Sequence, residues 1–130
     1  MQNAPLPEDI RRFVLTSVPS VPFLEALLLL RAHPAQQWHT DTLARRLYIR
    51  DKVAQELLDD LCKAGMAALC EAPGLDSYRY QPSSEELRAL IDQLADLYSR
   101  HLVEITMLIH STLDRKAQQF ADAFKWRKDS

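Results

Sequence analysis

Apolar positions fall at helical spacing along most of the chain, and the interruptions divide it into elements. Ile10, Phe13 and Val14 share one helical face, which predicts a helix from Pro7 to about Ser17, with Pro7, Glu8 and Asp9 suited to its first turn. Pro19 and Pro22 break the pattern, because proline disfavours helix in the residue before it. From 21 to 32 the next segment is apolar on nearly every side, through Phe23, Leu24, Leu27, Leu28, Leu29 and Leu30. A helix of that kind belongs at the centre of a fold.

After His33 and Pro34 the chain turns polar up to Trp38, which begins a very short strand or plugs the core. A helix is expected from about 41 to 48, capped by Thr40 or Asp41. The turn Tyr48 to Arg50 leads into a second helix over about 51 to 64, ended by Gly65 as its C-terminal cap. Met66 to Cys70 and Ser77 to Tyr80 flank Ala72-Pro-Gly-Leu-Asp76 and predict a β-hairpin with a loop of several residues.

Pro82, Ser83 and Glu86 then carry a helix-start pattern, with Ser83 and Glu86 at capping-box spacing. Leu87, Ile91, Leu94, Tyr98, His101, Ile105, Leu108 and Thr112 alternate steps of four and three, a heptad seam that predicts one helix from 83 to about 112. Such a helix spans about 43 Å at 1.5 Å per residue. It outreaches a small body, so part of its apolar width is expected to meet a partner, with Leu90, Leu97 and Ile109 beside the seam as the partner-facing residues. A second capping pattern from Ser111 to Asp114 predicts a last helix carrying Ala117, Phe120, Ala121 and Phe124, before a basic tail over Lys125 to Lys128.

Composition narrows the functional classes. At 130 residues with 47% hydrophobic and 26% charged residues, the chain fits one ordinary globular domain. Its net charge of −2 excludes a protein that is basic throughout, so contact with a phosphate backbone requires a local basic face. Cys62 and Cys70 match no zinc or disulfide framework and are expected to be reduced thiols in a cytoplasmic protein. The first ten residues lack a secretion pattern, and no apolar run approaches the length a membrane span requires. There is no nucleophile-and-base pattern, no glycine-rich phosphate loop and no metal-ligand cluster, so neither catalysis nor a cofactor is expected.

From Leu43 through Met66 the residues suit two helices crossing through a tight turn. Ala44 is small where they approach, Leu47 and Ile49 line the turn, and Ala54, Leu58 and Leu61 form the inner face of the second helix. This stretch resembles the winged helix-turn-helix of bacterial transcriptional regulators, and the order of helices around it is most similar to the MarR family. The resemblance implies a mainly α fold with a small β-hairpin wing and flanking helices at both ends. It also implies a regulator that binds double-stranded DNA as a homodimer, with room for a small ligand between the helix-turn-helix and the long helix.

Carried onto this chain, the resemblance makes Arg50, Asp51, Lys52, Gln55 and Glu56 the groove-facing residues, puts Arg45 and Arg46 near phosphates, and puts Arg79 on the wing. The heptad seam and the apolar residues beside it make Leu87, Leu90, Ile91, Leu94, Leu97, Tyr98, His101, Ile105, Leu108 and Ile109 the expected dimer interface. The charges depart from a simple DNA reader. Asp51, Glu56, Asp59 and Asp60 stand against Lys52 and Lys63 on the second helix, and the hairpin tip carries Asp76 and no cation. A winged helix that joins another protein is therefore the alternative reading. On the seam, His101 would lie near its symmetry mate, where protonation opposes association, and His101 with Glu104 lacks the further ligands a metal site needs.

Overall fold

In the computed structural model, residues 5–111, 118, 119 and 121 are described. The chain is mainly helical around a two-stranded hairpin, a winged helix-turn-helix with flanking helices. In order come α1 (Glu8–Ser17), α2 (Val21–Ala32), α3 (Thr40–Leu47), α4 (Asp51–Lys63), β1 (Ala67–Cys70), β2 (Ser77–Tyr80), α5 (Glu85–Tyr98) and α6 (Leu102–Ser111).

Each helix begins and ends for a local reason. The Ser20 side chain accepts from the Phe23 N–H at 3.2 Å and caps α2, in which Phe23, Leu24, Ala26, Leu27 and Leu30 are buried. This helix is the centre of the core and meets α3, α4 and β2, while α1 packs on α5. Each large aliphatic side chain so buried contributes about 1.5–3 kcal/mol. An exposed ion pair, Arg31 Nε to Asp92 Oδ1 at 2.9 Å, links α2 to α5. No single helix among the described residues is long and apolar enough to cross a membrane; α1 and α2 reach that length only together, across a bend of 111°.

Trp38 does both things expected of it. Its backbone pairs with Tyr78 in an antiparallel bridge, donating at 2.6 Å and accepting at 2.8 Å, so β2 lies between β1 and this residue. Its ring is fully buried in the core.

Two caps sit one residue from their expected places. His39, not Thr40 or Asp41, precedes α3; its N–H donates to Thr42 Oγ1 at 2.9 Å, and that hydroxyl donates to the His39 carbonyl at 2.8 Å. Ser84, not Ser83, caps α5, accepting from the Leu87 N–H at 3.1 Å. Ser83 instead donates its backbone N–H to the Gly65 carbonyl at 2.8 Å, which holds it outside the helix.

The larger correction concerns the helix expected from 83 to 112. It breaks at Ser99, Arg100 and His101, where the Arg100 and His101 N–H groups both return to the Leu97 carbonyl, at 3.1 and 2.8 Å. α6 restarts from His101, whose carbonyl accepts from Ile105 N–H at 2.9 Å. The break turns Ile105, Leu108 and Ile109 together into the chain's own core, which Ile91 and Leu94 of α5 also join. Four seam residues, Ile91, Leu94, Ile105 and Leu108, and Ile109, expected to face a partner, are thus buried within the chain's own core; Leu87, Leu90, Leu97 and Tyr98 lie half-buried against it. A straight 43 Å rod would leave its far half without core to cover, and folding at the serine lets both halves cover the same interior. The expected last helix and basic tail lie outside the described residues apart from Gln118, Gln119 and Ala121, which are helical and exposed.

Candidate nucleic-acid interface

α3 and α4 are amphipathic in opposite senses about one shared interior. Leu43 and Ala44 of α3 meet Ala54, Leu57, Leu58 and Leu61 of α4, all buried, while Leu47 and Ile49 half-bury at the turn. The outward residues are then forced. On α3 they are Asp41, Arg45 and Arg46; on α4 they include Lys52, Val53, Glu56, Asp59, Asp60 and Lys63.

Arg45 lies at the end of α3, where a cation suits the helix dipole, and pairs through Nη2 with Asp41 Oδ2 at 2.9 Å. Exposed pairs of this spacing are worth about 0.3–0.5 kcal/mol, so a competing anion replaces one readily. Arg46 stacks its guanidinium 5.6 Å from the centroid of the buried Trp38 ring, a cation–π contact that holds it beside β2. Arg50 occupies the N-cap of α4 in extended backbone, and its side chain makes no capping hydrogen bond. Arg50, Asp51, Lys52 and Glu56 are all exposed, and none has an ion-pair partner among the described residues.

Gln55 is placed differently from the groove-facing role read from the sequence. Its Oε1 accepts from Thr40 Oγ1 at 2.5 Å, and its Nε2 donates to Tyr78 OH at 2.8 Å and Asp59 Oδ1 at 2.9 Å. One amide therefore ties the start of α3, the middle of α4 and the hairpin together. His39 adds a second tie. Its Nδ1 lies 3.0 Å from the Asp76 carbonyl, which can only accept, so that nitrogen carries the proton. Above the Gln55–Tyr78 pair runs an open groove of about 580 Å3, walled by Thr40, Gly74, Leu75 and Asp76. Arg79 stands on the solvent side of β2 opposite Ala68, its Nε donating to Gln81 Oε1 at 3.2 Å.

The sequence reading missed Tyr48. This residue ends α3 in the left-handed conformation, φ 57° and ψ 46°, with its side chain 94% exposed. The available signal was positional, since the residue closing a helix before a tight turn commonly takes a positive φ.

A second cleft, of about 440 Å3, lies between the end of α1 with its link to α2, the end of α4 and Leu87 of α5. Leu15, Val18, Phe23, Met66 and Leu87 line it, with Lys63 and Asp60 at its polar edge. Cys62 and Cys70 are free and half-buried. Burial first, then the Asp59 carboxylate and Cys70, pushes the Cys62 thiol up, which suppresses the reactive thiolate near neutral pH. His101 Nδ1 lies 3.2 Å from Glu104 Oε1 within its own chain. No group of three or more metal-ligating side chains occurs among the described residues.

The fold and the outward helix define the class, a winged helix-turn-helix, and solved structures share it. The chain superposes on the homodimeric winged helix-turn-helix DNA-binding domain Mb0332 from Mycobacterium bovis, a possible ArsR-family transcriptional regulator, with a TM-score of 0.54 and 17% identity over 77% of this chain and 94% of that one. It is likewise similar to the PcaV transcriptional regulator from Streptomyces coelicolor (TM-score 0.54, 15% identity, 89% and 87% of the two chains). A MarR family protein from Bacillus stearothermophilus aligns with a TM-score of 0.52 and 18% identity over 88% and 84%. No protein-family model and no curated protein sequence matches the chain. The MarR-like resemblance thus holds at the level of the fold.

Proposed function

We propose that the chain is a transcriptional regulator that binds double-stranded DNA as a homodimer, with the first turn of α4 in the major groove and the hairpin along the backbone. The observation that carries this reading is the placement of Arg50 and Lys52. The inner face of α4 is consumed by the core, which leaves Arg50, Asp51, Lys52 and Glu56 presented at its open end. Arg45 and Arg46 flank them from α3, and Arg79 stands on the hairpin. This is the disposition by which helix-turn-helix domains set side chains against base edges and phosphates. The similar domain Mb0332 is described as homodimeric and DNA-binding, which supports both halves of the proposal.

For the partner-facing surface, Leu102, Val103 and Met107 of α6 are 50%, 71% and 64% exposed, while Leu90 and Leu97 of α5 are half-buried. They replace Ile109 as the residues offered to a second copy. Few cations face outward on the helix-turn-helix, so two copies on adjacent half-sites would double a modest set of phosphate contacts.

Duplex binding measured between about 50 and 200 mM salt tests the DNA reading. A steep fall of affinity with salt is expected, and Arg50→Ala or Lys52→Ala should each lower the log–log slope by about one. Absence of binding at the lowest salt overturns it in favour of a protein-binding winged helix, for which Glu56, Asp59 and Asp60 are no handicap. Sedimentation tests the dimer separately. The double substitution Val103→Asp with Met107→Asp is expected to weaken association by at least about tenfold, and a wild-type chain that is monomeric at tens of micromolar refutes the homodimer.

A further inference from the structure

The α3–α4 turn holds Tyr48 in a conformation that its side chain does not favour, and no contact of that side chain within the described residues accounts for a tyrosine there. The turn between α3 and α4 imposes the positive φ: the Tyr48 and Ile49 N–H groups both return to the Ala44 carbonyl, the latter at 3.0 Å, and Ile49 must swing back against the core. Glycine meets that requirement without steric conflict and asparagine with little, whereas an aromatic side chain in the left-handed region is uncommon. Of the non-glycine residues described, Tyr48 alone has a positive φ. Compensation from packing is absent. The side chain is 94% exposed, and among the described residues its hydroxyl has no hydrogen-bond partner and its ring no aromatic or cation–π contact. The turn needs the conformation but not a tyrosine, and a side chain that disfavours it and makes no internal contact points outward, to function.

From these observations and the residues on either side, we infer that Tyr48 is a DNA-backbone contact whose phenolic hydroxyl donates to a phosphate oxygen. The inference rests on the duplex-DNA reading above. Arg45 and Arg46 precede Tyr48 by less than one helical turn, and Arg50 and Lys52 follow within four residues, all exposed. Tyr48 is thus at the apex of the same outward segment, where a projecting phenol reaches a strand that the flanking guanidinium groups hold. Phosphate oxygens accept such hydrogen bonds from tyrosine, and these bonds fix register without reading sequence. The contact adds no positive charge and so releases no counterion.

The experiment measures binding of the full chain to a random-sequence duplex of about 30 base pairs as a function of salt, for wild type, Tyr48→Phe, Tyr48→Asn and Arg50→Ala, with melting temperatures alongside. Tyr48→Phe and Tyr48→Asn are each expected to bind about tenfold more weakly, with the salt slope unchanged and with melting temperatures equal to or above the wild type. Arg50→Ala is expected to reduce the slope. If both Tyr48 variants bind within about twofold of wild type while Arg50→Ala lowers the slope, the contact is wrong and the DNA reading stands. A Tyr48→Phe protein that alone binds normally overturns the hydroxyl assignment. A fall in melting temperature that accompanies the loss of binding makes Tyr48 structural and overturns the inference. A wild-type chain that does not bind the duplex overturns both.

Discussion

The α3–α4 pair and the α5–α6 arm bury similar apolar stripes in one core, yet they turn different chemistry outward. Around α3 and α4 the solvent meets Arg45, Arg46, Arg50, Lys52, Glu56, Asp59 and Asp60, with Tyr48 and Val53 the apolar-bodied exceptions. Along α5 it meets Glu85, Glu86, Arg88, Asp92 and Asp96, and along α6 Leu102, Val103 and Met107 beside Glu104 and His110. The inner stripe of a helix fixes where it sits, and both regions satisfy that requirement equally. What distinguishes them is the outer face of α6, where three large apolar side chains stay exposed, whereas the outer faces of α3, α4 and α5 are mostly polar or charged.

That contrast can be broken at its base by removing the shared interior. Leu58→Ala in α4 and Ile109→Ala in α6 are each expected to cost about 2–5 kcal/mol, read by chemical denaturation, because both side chains are fully buried. The shift for Ile109→Ala should not vary with protein concentration. A concentration-dependent loss would return Ile109 to the partner surface and erase the distinction between the inner and outer faces of α6. A smaller effect sharpens the boundary of the arm: Ser84→Ala should cost about 1 kcal/mol by removing the cap, whereas Ser83→Ala, exposed and outside the helix, should stay within about 0.5 kcal/mol. Equal losses would restore the helix start one residue earlier.

The two regions also differ in how far their residues announced their roles. In the helix-turn-helix, Ala44, Ala54, Leu58 and Leu61 occur at spacings that only two crossing helices satisfy, and Gly65 with φ +74° ends the second where expected. In the arm, the four-three spacing runs without a flaw through Tyr98, His101 and Ile105, so the break between them leaves no mark on the periodicity. Hydrogen-bond closure at the Leu97 carbonyl decides it instead. The caps moved by one residue for a related reason: whether Ser83 or Ser84 caps depends on which backbone is extended, and Gly65 holds Ser83 elsewhere. Gln55 could not be placed from its neighbours, because the hydroxyl that turns it inward belongs to Tyr78, 23 residues away. Outward charges were legible because burial of the inner stripe leaves them no alternative.

Gly65 carries a mechanical consequence. Its carbonyl receives the Ser83 N–H at 2.8 Å, the Met66 N–H reaches back to Leu61 of α4 at 2.9 Å, and Gln81 N–H binds Met66 at 3.0 Å. A Cβ added at Gly65 would come within 2.7 Å of Ser83 Oγ, so the Ser83 side chain occupies the space that a larger residue would need. The end of α4 and the entrance to α5 are therefore soldered at one point, with the hairpin looped between them. Any displacement of α5 relative to α4 must strain these backbone hydrogen bonds before it reaches the rest of the hairpin.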